Sequence, residues 1–468
     1  MQKKKTNAGR TLAAQLAAHH SRLSYRQVPE ASRHAMKRLL LDYLGVAIAG
    51  SQTESGVIAR EFAALQGKAP EATLIGGGGR VPMTAASFAN AISCHSIELD
   101  DIDVLALFHF SPPVFSSALA VAEANGANGK DLLAALAAGC EVMERVSMAA
   151  NNDLRNRAFH TTPTCGVFGA TTAAAKLLRL TPDQLTSAFG LAGAQASGLM
   201  EMYGPSMQKR FNPGPAARNG VTAAMMAKLG FTGADTIFEG ERGFLRAFAG
   251  GKKGAELVRG LGKPFELQIE FKPYSCARPI HNAIDCALEI RSRHAPELSR
   301  IRSIVVRRHP DWSHYHRNIA PRTYHEAQVS LPYSVAIALL EGNALLAQYT
   351  DRKLGNAMVR RLMDRTRIDT DAKLPRGVSC HTTITMQSGE KFVSQVDYPK
   401  GSIQNPMSDG ELGAKFETLA VPVVGAARAR RIADLVMHIE RCNNVGELLR
   451  LTVLSSGKSK KKKPARRH

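Results

Sequence analysis

The sequence lacks the cysteine spacing that marks a disulfide framework or a zinc knuckle. Its seven cysteines are odd in number, scattered, and never form a C-x-x-C pair. Apolar stretches are interrupted by charge or glycine before they reach membrane-spanning length, and no apolar segment follows the first lysines. These absences predict a cytoplasmic protein without a secretion signal or a transmembrane helix.

A phosphate-binding loop is also absent. The glycine run at residues 76–79 lacks the lysine followed by serine or threonine that such a loop requires, and Pro82 follows closely. We therefore interpret this run as a turn. No internal repeat of solenoid period is present.

Positive charge is abundant but concentrated at the chain ends. The formal net charge is +21, of which three charges lie at residues 3–5 and seven at residues 458–467, leaving +11 for the rest. We predict that residues 457–468 form a disordered basic tail. A solubilising tail is favoured over one that binds nucleic acid, and the remaining excess suits a small anionic substrate.

The 468 residues suit two domains. Residues 9–271 have the apolar periodicity of helices, as at residues 29–49, and residues 181–184 form a capping box. Helical periodicity returns at residues 401–456, where Ser408 and Glu411 form another cap. We predict a large all-helical domain built from both chain ends.

The region between these two helical parts has a different pattern. Residues 301–307 have the composition of a strand, and residues 379–398 that of a hairpin around a Gln-Ser-Gly-Glu turn. Residues 272–400 should therefore form a smaller inserted α+β domain, which makes the protein mostly α with an α+β part.

The densest polar segment is HSIELDDID, which contains His95, Glu98, Asp100, Asp101 and Asp103, with His109 shortly after. Crowded carboxylates raise one another's pKa, so such a cluster can hold an acid and a base near neutral pH. The alternatives are a solvated acidic helix end and the Mg²⁺ site of a prenyl-diphosphate enzyme. The second lacks a partner motif, because no other acidic helix accompanies this one.

Three further segments carry candidate site residues: 158–175 with His160 and Cys165, 207–220 with Lys209, Arg210 and Arg218, and 271–285 with Lys272, Tyr274, Arg278 and His281. Cations beside a helix start can hold carboxylates. The alternatives are a structural histidine, a packing role for Cys165, and ordinary surface charge.

These four segments, in this order and spacing, resemble the MmgE/PrpD family, which includes 2-methylcitrate dehydratase, cis-aconitate decarboxylase and iminodisuccinate epimerase. Residues 38–50, 324–336 and 405–420 extend the resemblance over nearly the whole chain. It implies a helical domain built from both ends, an α+β lid, a site in the cleft between them, a homodimer, and no metal or organic cofactor.

Two departures lie in the acidic segment. The family's D-F-D-D-T is here E-L-D-D-I, so Asp100 and Asp101 match, Glu98 differs mildly, and Ile102 replaces a hydroxyl. His109 matches the family's histidine in H-P-[GS], although Phe110 stands in the proline position.

The other segments combine matches and departures. His160, Lys209 and Lys272 match family positions. Asn212 stands where a histidine is common, and Ala277 stands where the decarboxylase branch has a site histidine. This last departure argues against a cis-aconitate decarboxylase.

The resemblance implies proton transfer at a carbon next to a carboxylate. Its expected catalytic residues are His160, His109, Asp100 and Glu98, and its expected substrate-binding residues are Lys209, Lys272, Asp101, Arg210 and His281. We expect a dehydratase of the 2-methylcitrate type. The alternatives are an epimerase of a dicarboxylate and a non-catalytic homologue that binds nucleic acid through its basic tail.

Overall fold

The computed structural model describes residues 10–202, 206–251, 253–264 and 267–454. The predicted basic tail at residues 457–468 lies outside the described residues. Among the described helices, none combines the length and apolar character that crossing a bilayer requires.

The first part of the chain is helical and carries one two-stranded ribbon. Its helices are α1 (Leu12–His20), α2 (Glu30–Gly50), α3 (Glu54–Leu65), α4 (Met83–His95), α5 (Ser111–Ala124), α6 (Gly129–Ala150), α7 (Asp153–Asn156), α8 (Thr161–Leu177), α9 (Pro182–Gly193), α10 (Gln208–Phe211), α11 (Pro213–Lys228) and α12 (Phe244–Ala249), and β1 (Ala72–Thr73) pairs with β2 (Arg80–Val81). The predicted capping box at residues 181–184 is present at the start of α9. The glycine run at residues 76–79 is a turn between β1 and β2, as expected.

The second part contains a four-stranded sheet with helices against it. Its elements are α13 (His281–His294), β3 (Ile301–Arg308), α14 (Pro310–Ser313), α15 (Tyr324–Ala327), α16 (Leu331–Glu341), α17 (Asp351–Leu354), α18 (Ala357–Asp364), β4 (Thr366–Thr370), β5 (Cys380–Met386) and β6 (Lys391–Val396). The strand order is β4-β3-β5-β6, with β3 parallel to β4 and antiparallel to β5. The predicted strand and hairpin are confirmed, whereas β4 was not predicted.

The chain then returns to the first helices through α19 (Asp409–Val424), α20 (Ala426–Met437) and α21 (Gly446–Arg450). Helix α19 packs on α2. Gly45 allows this contact, because a Cβ atom there would lie 3.1 Å from the Phe416 ring. A buried ion pair between Lys415 and Asp42, at 2.5 Å, joins the same two helices.

Two large hydrophobic cores follow from this arrangement, and a smaller apolar cluster between Ala59 and Ala120 lies where α3, α4 and the β1–β2 ribbon meet. One core combines residues from both chain ends, from Ala13 to Leu449, and the other lies between Cys276 and Met386. The chain enters and leaves the second region side by side, since the Phe271 N–H donates to the Gly401 carbonyl over 3.0 Å. The predicted fold class is confirmed, and the division at residues 271 and 400 is kept as a proposal. The inserted region is called the lid below.

Candidate active site

The acidic segment lies in an irregular loop between α4 and α5. Helix α4 ends at His95, and residues 96–110 form no regular helix or strand. The alternative of a solvated helix end is wrong, because Glu98, Asp100 and Asp101 are fully buried. Glu98 has a left-handed backbone, with φ 55°, a conformation that is rare for a residue with a side chain and is often found at functional sites.

Three cations converge on the Glu98 carboxylate. Lys209 and Arg210 from α10 both donate to Oε1, and Lys272 Nζ lies 3.4 Å from Oε2. Burial alone would raise the pKa of Glu98, but Lys209 and Arg210 hold it well below its usual range. The loop, α10 and the start of the lid therefore meet at one ionised carboxylate.

Lys209 is the most accessible of the three cations. Its side chain is buried except for about a tenth of its surface, and burial lowers its pKa to about 8 although Glu98 opposes this change. The attraction between an ammonium group and a carboxylate is stronger in a buried site than in water. Lys209 is therefore well suited to bind an anionic group.

Asp100 joins two histidines. Its Oδ2 atom lies 2.8 Å from Nδ1 of His95 and 3.1 Å from Nδ1 of His109. Burial would raise the pKa of Asp100, but His109 and His95 hold it well below its usual range. The ionised carboxylate thus accepts from both rings and fixes their orientation.

Burial lowers the pKa of His95 to about 4, although Asp100 opposes this shift. The neutral ring donates from Nδ1 to Asp100, and its Nε2 is buried without a hydrogen-bond partner among the described residues. The His95 ring centroid lies 4.8 Å from that of His109 and 6.3 Å from that of His160. His95 is therefore the middle ring of a three-histidine cluster.

His160 occupies the residue before α8, where its backbone N–H donates to the Gly198 carbonyl over 3.0 Å. Its Nδ1 lies 3.1 Å from the side-chain nitrogen of Asn212. Burial and the neighbouring His95 hold the pKa of His160 well below its usual range. The ring is neutral at pH 7 and hydrogen bonded on one side by an amide.

The Asp101 carboxylate is occupied by the backbone. Its Oδ2 accepts from the Phe110 N–H at 2.7 Å, and its Oδ1 accepts from the backbone and hydroxyl of Ser111. These bonds cap the start of α5, while the Asp101 carbonyl accepts from His109 Nδ1 at 2.5 Å. The geometry favours a positioning role for Asp101, and its predicted contact with substrate stays a prediction.

His281 lies at the start of α13. Its Nδ1 faces the Arg278 guanidinium at 3.1 Å and its Nε2 donates to the Cys276 carbonyl at 3.2 Å. Arg278 in turn pairs with Glu270 at 2.8 Å. Because both ring nitrogens are engaged within this group, the geometry favours a structural role, and substrate binding by His281 stays a prediction.

Arg218 and Cys165 also lie apart from the cluster. Arg218 is exposed on α11, over the ring of Phe88. Cys165 is fully buried in α8, and burial raises its thiol pKa to about 12. Cys165 is thus a packing residue, and an unactivated thiol of this kind is a poor nucleophile.

Gln328 and Ser275, which were not predicted to belong to the site, join the lid to the cluster. Gln328 accepts from Arg210 at 2.9 Å and donates to the Ile97 carbonyl at 3.1 Å. Ser275 donates to the same carbonyl at 2.5 Å. Gln328 lies in the family-like segment 324–336, and that position was the available signal. Chain pairing across more than 200 residues could not be inferred from spacing.

A second buried carboxyl pair lies beside the loop. Asp103 is hydrogen bonded to Glu144 of α6, and its Oδ1 accepts from the backbone of Leu105 and Ala106 at 2.7 Å. Burial, and for Glu144 the neighbouring Asp103, raises the pKa of both carboxyls above their ordinary values. A shared proton lets one carboxyl donate to the other, and this fixes the turn that precedes His109.

His95, Asp100 and His109 are also a donor set of the kind that divalent metals bind, since their candidate ligand atoms lie within 4.8 Å of one another. However, both Nδ1 atoms face Asp100, and Lys272 Nζ lies 3.8 Å from its other oxygen. The lysine ammonium would repel a metal cation at this position. The fit favours a proton-transfer cluster over a metal site, and the expectation of no metal stays a prediction.

Comparison with known proteins places the chain in a family. The MmgE/PrpD N-terminal domain matches residues 14–256, and the MmgE/PrpD C-terminal domain matches residues 274–441. A "Cis-aconitate decarboxylase-like protein" of Aspergillus oryzae is 31% identical over 94% of this chain and 97% of its own length. The cis-aconitate decarboxylases of Aspergillus terreus and Homo sapiens are 29% and 27% identical, covering 95% and 86% of this chain and 96% and 86% of their own lengths. The chain belongs to the MmgE/PrpD family.

Proposed function

We propose that this protein is a lyase that acts on a small polycarboxylate by proton transfer at a carbon next to a carboxylate. The family and the named relatives support an enzyme of the lyase class. The observation that carries the proposal is the convergence of Lys209, Arg210 and Lys272 beside the Asp100–His109 pair. Cations attract substrate carboxylates and stabilise the enolate-like charge that forms when the C–H proton is removed.

The hydrogen bonds support a division of the two proton-transfer roles. Nδ1 of His109 faces the Asp101 carbonyl, which can only accept, so this nitrogen carries the proton and Nε2 has the free lone pair. Nδ1 of His160 faces the amide nitrogen of Asn212, which can only donate, so the proton of the neutral ring is on Nε2. His109 is therefore the base and His160 the acid.

In a dehydration, His109 Nε2 takes the proton from the carbon next to the carboxylate. The electron pair of that C–H bond forms the new double bond as the C–O bond to the neighbouring hydroxyl breaks. His160 gives its Nε2 proton to the departing oxygen, which leaves as water, and the proton that His109 took up then passes back to the His160 imidazolate, so that both rings return to their neutral forms. Each proton-transfer group should contribute about 10²- to 10⁴-fold in rate.

A decarboxylation uses the same acid differently. Carbon dioxide leaves with cleavage of a C–C bond, and the electron pair that stays on carbon takes the His160 proton. The names of the relatives favour this second candidate. Ala277 argues against a decarboxylase. The Ala277 N–H donates to the Gln328 carbonyl at 2.9 Å, so this position lies beside Gln328. It supplies only a methyl group where the resemblance to the decarboxylase branch implies a histidine.

Dehydration of a 2-methylcitrate-like hydroxytricarboxylate is therefore the first reaction to test. An epimerase remains the third candidate, because two opposed histidines could also remove a proton on one face of a carbon and return it on the other. We further propose a cytoplasmic homodimer, which light scattering on the purified chain would test.

The deciding experiment is NMR in D₂O with 2-methylcitrate, citrate, cis-aconitate and iminodisuccinate. We expect an unsaturated product from a hydroxytricarboxylate, and no product with His109→Gln or His160→Gln. The matched control is His438→Gln, since His438 is half exposed at the end of α20. Product from cis-aconitate alone would select the decarboxylase, and deuterium exchange without elimination would select the epimerase. Absence of turnover and exchange with all four substrates would refute the proposal.

A further inference from the structure

A second histidine-rich group lies outside the candidate active site. It consists of His19 and His20 at the end of α1 and Glu141 on α6, whose candidate ligand atoms all lie within 4.8 Å of one another. The two imidazole rings make an edge contact with centroids 4.8 Å apart. Neighbouring residues on one helix and a carboxylate on another therefore converge on the same small volume.

His20 is the unusual member of this group. It is fully buried, and neither of its ring nitrogens has a hydrogen-bond partner among the described residues. An unpaired buried imidazole loses its bonds to water without replacement, which is destabilising. Burial holds the pKa of His20 well below its usual range, so the ring is neutral, which is the form that binds metal ions.

The other two members border a cavity of about 360 Å³, which His19 and Glu141 line together with Gln27 and Lys263. This space can hold water next to the ring and the carboxylate. The Arg145 guanidinium pairs with Glu141 through Oε1, at 2.8 and 2.9 Å. A carboxylate has a second oxygen that can face a further cation.

We propose that His19, His20 and Glu141 bind a divalent transition metal such as Zn²⁺, with water from the adjoining cavity as a fourth ligand. Two imidazole nitrogens and one carboxylate oxygen are a donor set that Zn²⁺, Co²⁺ and Ni²⁺ accept. Tetrahedral ligands about 2.1 Å from one ion lie about 3.4 Å apart, so ligand atoms that are now up to 4.8 Å apart need to close by up to about 1.4 Å.

The surroundings predict moderate affinity and a structural role. Arg145 pairs with Glu141, and Lys176 Nζ donates to the His20 carbonyl at 3.0 Å, so two cations near the site oppose metal binding. The metal would connect α1 to α6. The proposed metal site shares no residue with the proton-transfer cluster. Metal binding therefore does not depend on the proposed reaction.

The test is calorimetric titration of the full chain with Zn²⁺ after chelator treatment and removal of any affinity tag, with Co²⁺ absorption as a second readout of tetrahedral coordination. We expect one equivalent to bind to the wild type, and affinity to fall at least about tenfold in His19→Gln and in His20→Leu. Leucine fills the space of the unpaired ring with apolar atoms, so His20→Leu should still fold.

Two controls separate this site from other histidines. His109→Gln removes a member of the other candidate metal group, and His438→Gln removes a half-exposed histidine. Both control variants should still bind one equivalent of Zn²⁺. Zn²⁺ should raise the melting temperature of both control variants but not that of His20→Leu. Binding that survives in His19→Gln and His20→Leu, or that is lost in His109→Gln, would overturn the proposal, as would no binding to the wild type.

Discussion

The side-chain nitrogen of Asn212 donates to Nδ1 of His160 over 3.1 Å, and this contact determines which nitrogen of the ring carries the proton. An amide, unlike an imidazole, does not titrate, and Asn212 directs the same nitrogen to the Met202 sulfur at 3.1 Å. Here the contact keeps the proton on Nε2 of His160 at every pH where the ring is neutral.

The first prediction concerns Asn212→Asp. A carboxylate accepts from Nδ1 instead of donating to it, so the proton moves to Nδ1 and the acid is lost from Nε2. We expect kcat to fall about 10²- to 10⁴-fold while the melting temperature changes little. Asn219→Asp is the matched control, because Asn219 lies on α11, the helix that begins directly after Asn212, and bonds to the exposed Arg218. A variant with wild-type kcat would contradict the assignment of His160 as acid.

The second prediction concerns Asp100→Asn. An amide is neutral, so its oxygen holds the His95 and His109 rings more weakly than the carboxylate Oδ2 does, and its NH₂ group would face the Lys272 ammonium in place of Oδ1. We expect kcat to fall about 10²- to 10⁴-fold, with a smaller change in KM because the three cations remain. Steady-state kinetics measure this difference, and an effect confined to KM would show that Asp100 binds substrate instead.

The third prediction separates substrate binding from stability at Lys272. Lys272→Met leaves the buried Glu98 with less compensating charge, so we expect the free energy of unfolding to fall by about 3 kcal/mol and KM to rise. Adding Glu98→Gln should lower the stability further, because the buried Lys209 and Arg210 then lose their counter-ion. It should not restore KM. Denaturant titration and kinetics on the single and double variants test this, and recovery of KM in the double variant would exclude substrate binding by Lys272.

The fourth prediction concerns the Asp103–Glu144 pair and the pH dependence of stability. Burial and Asp103 raise the pKa of Glu144 to about 9, although the N–H of Gln268 and the charge of Arg145 oppose this change while Glu141 adds to it. In the unfolded chain the pKa of a glutamate is about 4.3. The folded state therefore keeps a proton that the unfolded state loses between these values, and stability falls as pH rises through this window.

The free energy of unfolding of the wild type should fall by up to about 1.4 kcal/mol per pH unit because of Glu144. In Glu144→Gln the free energy of unfolding should depend less on pH. Glutamine keeps a donor for Asp103. The measurement is denaturant unfolding at several pH values between 5 and 9, with Glu123→Gln as a buried control elsewhere in the helical domain. Parallel pH curves for wild type and Glu144→Gln would contradict the shared proton.

The sequence predicted most regular elements because their signals are local. The cap at Ser408 and the strand at residues 301–307 depend on side chains within a few positions of one another. Strand β4 (Thr366–Thr370) was missed because it is short and carries charged residues at an edge of the sheet. Its strand conformation comes from pairing with β3, which lies about 60 residues earlier.

The candidate site was predictable in its charged members but not in its connections. Glu98, Lys209 and Lys272 were named from family-like motifs. Sequence spacing could not show that Glu98 has a left-handed backbone, nor that Gln328 reaches Arg210 from the lid. Such facts depend on packing between distant segments, since the same residues in an open loop would be ordinary surface groups.

The backbone enters the lid at Phe271 and leaves it at Gly401, and these two residues share a hydrogen bond of 3.0 Å. The backbone crosses between the two regions at this place, and Ser275 and Gln328 also hold the lid to the Ile97 carbonyl. Lys272 follows directly after this crossing, so the position of the lid determines the distance of its ammonium from Glu98. The proposed division at residues 271 and 400 predicts that exchanging the segment between them with that of a relative alters substrate choice while His109 and His160 stay in place.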